Sequence, residues 1–113
     1  MPLALVHQDD EFTQVALSGQ LDTQGVCDVE AEFHQMVAGR PRNAVVDLSD
    51  VEFVMSAGLN MITRAAADLK HHGAKLVLLS PRPLVRKAIH NVALDKLTPL
   101  AENLEEALRL LRE

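Results

Sequence analysis

The chain contains no tryptophan and no tyrosine, and only three of its 113 residues are phenylalanine. Binding of single strands by stacking bases on aromatic side chains is therefore not expected. Cys27 is the lone cysteine, so no internal disulfide can form, and a cytoplasmic location is the default expectation. Basic charge is also scarce: 11 Lys and Arg stand against 16 Asp and Glu, for a net charge of −5. With no basic run, nucleic acid and anionic membranes are poor partners. No apolar run approaches membrane-spanning length. The opening Met1-Pro2-Leu3-Ala4-Leu5-Val6 lacks the basic start of a secretion signal.

The chemistry of an enzyme is thin as well. Gly19, Gly25, Gly39, Gly58 and Gly73 are isolated, so there is no glycine-rich phosphate loop. No Gly-x-Ser-x-Gly elbow surrounds Ser18, Ser49, Ser56 or Ser80. His71 and His72 are neighbours, and adjacent helical residues point about 100° apart, so they cannot readily share one ion. No enzyme activity, cofactor or metal is expected.

What is present is an aliphatic chain, 48% hydrophobic and long enough for one domain with a real core. Its centre runs from Val45 to Leu69. Ala44-Val45-Val46 is an uninterrupted apolar run, as in a strand buried on both faces, bounded by Asp47-Leu48-Ser49-Asp50. Val51, Phe53 and Val54 form a second apolar patch, and Met55-Ser56-Ala57-Gly58 turns the chain. Leu59, Ile62, Ala66 and Leu69 then fall on one helix face. Ser56 stands where that helix should begin. It reads either as a cap for a free first-turn N–H or as a regulatory hydroxyl, since a helix N-terminus favours an attached phosphate.

Upstream, Leu3–His7 and Phe12–Leu17 read as a hairpin around Gln8-Asp9-Asp10-Glu11, with Leu3–His7 at an edge and Ser18-Gly19-Gln20 ending the second strand. Asp22 and Thr23 are helix caps, followed by Val26, Val29, Phe33, Met36 and Val37 at helical spacing. Cys27 beside that stripe reads as a small, partly buried residue. Gly39-Arg40-Pro41-Arg42 stops the helix. Downstream, Gly73 reads as a left-handed cap and Lys75–Leu79 as a buried strand. Pro83 opens a third helix carrying Leu84, Val85, Ala88, Ile89 and Val92, with Arg82, Arg86 and Lys87 on a solvated outer side. After room for a short edge strand around Leu100, Asn103 or Glu102 opens a last helix with Leu104, Ala107, Leu108 and Leu111 as its buried stripe. This alternation predicts a single α/β domain over residues 1–113: a mixed, mostly parallel sheet of four or five strands with about four helices. Asp47 and Asp50 flank the central strand end. They read either as turn residues bonding their own backbone or as a carboxylate pair for magnesium and a nucleotide.

The segment Val46-Asp47-Leu48-Ser49-Asp50-Val51-Glu52-Phe53-Val54, then Ser56-Ala57-Gly58-Leu59, resembles the STAS domain family of anti-sigma factor antagonists and sulfate-transporter modules. Leu17-Ser18-Gly19-Gln20-Leu21-Asp22 upstream is similar to the family's Gly-Glu-Leu-Asp. Gly73–Leu79, Pro83-Leu84-Val85-Arg86 and Leu104–Leu108 extend the likeness over nearly the whole chain. The resemblance implies the STAS fold and a binding function. Such an antagonist docks on an anti-sigma factor that is also a serine kinase, and phosphorylation at the start of the second helix breaks the complex. A PP2C-type phosphatase reverses the mark. Carried onto this chain, the partner-binding residues are Asp22, Met55, Ser56, Ala57, Gly58 and Asn60, with Ser56 as the phosphorylation candidate. The family turn is typically Asp, Ser, Ser or Thr, Gly; here Met55 replaces the Asp and Ala57 the second hydroxyl. Either the switch uses Ser56, or Ala57 was engineered to lock the unphosphorylated form, or the chain is an adaptor without phosphorylation. Such an adaptor would be a subunit of a lipid-transport ATPase or a stress-signalling assembly.

Overall fold

The computed structural model describes residues 2–39 and 42–113. The chain forms β1 (Leu3–Gln8), β2 (Phe12–Leu21), α1 (Thr23–Ala38), β3 (Asn43–Val54), α2 (Ser56–His71), β4 (Leu76–Leu79) and α3 (Pro83–Asn91). A 3₁₀ turn at Leu94–Lys96, β5 (Leu100–Ala101) and α4 (Leu104–Arg112) complete it. The strands lie in one sheet in the order β1-β2-β3-β4-β5. β1 is antiparallel to β2, and the other neighbours are parallel. The expected mixed α/β domain is thus what forms, with β1 at one edge and the short β5 at the other.

Residues alternate across the sheet, and both faces are covered around β3 and β4. Ala44, Val46, Leu48, Leu76 and Leu78 share a core with Phe33 of α1, Ile62 and Leu69 of α2 and Ile89 of α3. Val45, Val77, Leu79 and Ala101 pack on the other side against Ala107 and Leu111 of α4. Two covered faces explain why the central strands have no polar alternation. Local signals start and stop the elements. Asp22 caps α1 by accepting from the Gly25 N–H at 2.8 Å, and Asn103 caps α4 by accepting from the Glu106 N–H at 2.8 Å. Pro83 occupies the first turn of α3, and Gly73 takes a φ of +78° just after α2. In the hairpin, the Asp9 carboxylate accepts from the N–H groups of Glu11 and Phe12 at 2.8 and 3.0 Å.

Several expectations need correction. Asp47-Leu48-Ser49-Asp50 does not end a strand: β3 runs for 12 residues through it to Val54. The register against β2 shifts twice, between Ala16 and Ser18 and between Gly19 and Gln20, and each time β3 carries the extra residue. Likewise Ser18-Gly19-Gln20 does not end β2, which continues to Leu21 with Gly19 at a φ of +81°. Cys27 is exposed, because it lies one position, about 100°, beyond buried Val26. Leu84 and Val92 point to solvent, at 62% and 57% exposure, and α3 buries only Val85 and Ile89. Leu104 is exposed at the first residue of α4. Arg40 and Pro41, named in the helix stop, lie outside the described residues; Gly39 is the α1 C-cap with a right-handed backbone.

Candidate functional site

Leu21 and Val54 are paired at the carboxyl ends of β2 and β3. The residues that follow, Asp22 and Met55, therefore leave the sheet side by side. The Met55 N–H donates to the Leu21 carbonyl at 2.9 Å, which ties the second exit to the first. Each exit opens directly into a helix, α1 at Thr23 and α2 at Ser56. The two helix entrances thus sit next to each other at one pole.

Gly58 is what lets them approach. A Cβ there would lie 2.7 Å from Val54 Cγ2, 2.9 Å from Leu21 Cβ and 3.0 Å from the Leu21 carbonyl oxygen. The glycine is buried and its part is in packing: it seats the first turn of α2 against the strand ends. Gly25 makes the matching approach at α1, where a Cβ would stand 2.3 Å from the Gln20 carbonyl oxygen.

Above this packed base the side chains open to solvent. Met55 is the N-cap of α2 and is 53% exposed, with no side-chain capping bond. Ser56 is therefore the first helical residue and not the cap, because β3 persists to Val54 and leaves only Met55 to make the turn. Its hydroxyl is exposed and makes no hydrogen bond among the described residues. Ala57 is half-buried, and Asn60, one turn after Ser56, is exposed. Asp22 is half-buried and its carboxylate is committed to the α1 cap. No acidic residue stands in the first turn of α2 itself.

A recess of about 380 Å³ lies against this pole, lined by Ser56, Leu59, Asn60 and Thr63 of α2 and by Val92, Ala93, Leu94 and Leu97 after α3. Val92 was not among the site residues read from the sequence. Its exposure at the end of α3 is the only hint, and exposure cannot be read from helical spacing alone. Asp47 and Asp50 take no part in this site. The Asp47 carboxylate accepts from the Ser49 N–H at 2.9 Å, a local bond to nearby backbone. Among the described residues, no group of His, Cys, Asp and Glu is arranged to hold a metal ion. No helix among them is long and apolar enough to cross a membrane.

A family model described as "Mlab, STAS domain" matches residues 4–106, nearly the whole chain. The chain is a STAS domain. Among curated proteins, the anti-sigma-F factor antagonist RsfB of Mycobacterium tuberculosis is 30% identical over 94 residues, covering 83% of this chain and 76% of RsfB. Among solved structures, an anti-sigma factor antagonist from Mycobacterium paratuberculosis superposes with a TM-score of 0.82 at 29% identity, covering 98% of this chain and 95% of that one. The antagonist SpoIIAA in its unphosphorylated form gives a TM-score of 0.79 at 22% identity, covering 97% and 96%. At that identity it speaks for the fold alone. As a STAS domain, the protein shares its overall fold with these structures.

Proposed function

We propose that this protein is an anti-sigma factor antagonist. It binds a serine-kinase anti-sigma factor through the entrance of α2, and phosphorylation of Ser56 releases it. The observation that carries this reading is the state of Ser56: exposed, unbonded and first in a helix whose own first turn holds no acidic side chain. Met55 and Val92 flank it with adaptable and aliphatic surface suited to a dry contact. The similarity to RsfB supports the class of partner.

The switch follows from electrostatics. The kinase supplies ATP; the Ser56 Oγ forms a bond to the γ-phosphorus as the β–γ bridge breaks, ADP departs, and the hydroxyl proton passes to the kinase's base. The product carries nearly two negative charges. Burying them in a contact built around Met55 and Val92 costs several kcal/mol unless the partner offers cations. Each 1.4 kcal/mol is a tenfold loss of affinity. Ala57 has no hydroxyl, so Ser56 is the acceptor at this turn, and a PP2C-type phosphatase restores it.

The test begins with the kinase recovered alongside the protein from its own cells. Incubation with ATP should place one phosphate on the protein and none on Ser56→Ala. Ser56→Asp should bind the kinase at least about 100-fold more weakly. Equal binding of Ser56→Asp and the unaltered protein would refute the switch. A second reading, a STAS adaptor that is never phosphorylated, is favoured by Met55 and Ala57 in the turn. It predicts that an ATPase of a lipid-transport or stress-signalling assembly is recovered, and that Ser56→Ala binds it unchanged.

A further inference from the structure

A mostly apolar recess lies where the carboxyl ends of α2 and α4 meet the start of β4. It holds about 480 Å³, within the usual range for small-molecule sites. Leu76, Leu97, Pro99 and Leu110 give it aliphatic walls, and its lining is mostly apolar. Lys70 and Lys75 also line it, from exposed positions on either side of the Gly73 turn. Neither ammonium group has an ion-pair partner among the described residues, although the chain carries a net charge of −5. Glu113 borders the recess as well and partly offsets the two lysines.

Two ammonium groups beside an aliphatic hollow fit an anion with a hydrocarbon tail. We propose that this recess binds a single-chain aliphatic carboxylate, with the tail between Leu76, Leu97 and Leu110 and the carboxylate at Lys70 and Lys75. A compact inorganic anion would leave the walls uncovered, and an uncharged alkane would leave the lysines unused. The inference stands on this recess alone and does not depend on what docks at Ser56.

The full chain is titrated with hexanoate, octanoate and decanoate, each below its micelle concentration, while amide resonances are followed by NMR. Shifts should concentrate at Ala74, Lys75, Leu76 and Leu110. Each added methylene that is buried should tighten binding up to about fourfold. Octanol should bind more weakly than octanoate. In the Lys70→Gln/Lys75→Gln double variant, which alters only exposed side chains, octanoate should fall to the octanol level while octanol is unaffected. Absence of shifts in the recess, affinity independent of chain length, or equal octanoate binding by the double variant would each overturn the proposal. So would binding of anionic phospholipid vesicles without binding of the monomeric carboxylates, which would make this a surface for membranes.

Discussion

Replacing Ser56 with Asp introduces a carboxylate at the first residue of a 16-residue helix whose first turn has no acidic side chain. The serine hydroxyl makes no bond that would be lost. An exposed negative charge at this place interacts favourably with the helix dipole by about 0.3–1 kcal/mol. For 113 residues the unfolding entropy is about 0.24 kcal/mol per kelvin. Tm should therefore rise by roughly 1–4 °C, even as affinity for an anti-sigma factor falls. The opposite signs matter, because a substitution that merely damaged the fold would lower both. Scanning calorimetry at low salt measures the rise, and it should largely vanish in 1 M salt, where the screening length is about 3 Å. Ser56→Ala should be nearly neutral, within about 0.5 kcal/mol. Asn60→Asp, a full turn further in, should gain less because the dipole acts within the first turn. A fall in Tm for Ser56→Asp, or a rise indifferent to salt, would refute the account of this helix entrance.

Gly58→Val should destabilise the domain by about 1–3 kcal/mol or more, because its Cβ meets the Leu21 carbonyl as well as the movable Val54 methyl. An unchanged urea midpoint would count against the close approach. Asp22→Ala removes the cap on Gly25 and should cost about 1 kcal/mol, read in the same urea experiment. The Asp9 carboxyl, held down first by the Phe12 N–H, then by His7 and the Glu11 N–H, should titrate at about 2 against an ordinary 3.8. Its folded pKa is depressed, so its stabilisation is complete above pH 3.8 and is lost as pH falls through about 2. A carboxyl NMR titration with its midpoint near 3.8, or an acid unfolding curve unaltered by Asp9→Asn, would contradict the hairpin geometry.

Residues whose effect is local were legible before any coordinates. Asp22, Gly73, Pro83 and Asn103 each act on a backbone bond or dihedral within four positions, and all behave as read. The aliphatic runs at Val45 and Val77 announced buried strands for the same reason. What escaped depends on partners far away in sequence. Asp47 to Asp50 looked like a break because polar residues normally end a buried strand, yet pairing with β2 carries β3 through them. That extra length moves the N-cap to Met55 and demotes Ser56 from cap to first residue. The burial of Gly58 depends on Leu21, 37 positions earlier, which no local pattern reveals. Val92 had the right spacing for the core and lies outside it because α3 ends there.

The two margins of the sheet bear on how such a molecule can wait in solution. β1 changes register between Leu5 and His7, and β5 offers only Leu100 and Ala101. A neighbouring copy trying to add a strand would meet an interrupted ladder on one side and almost none on the other. Leu5 and Val6 are exposed on β1, but neither margin offers a second copy a long, regular ladder.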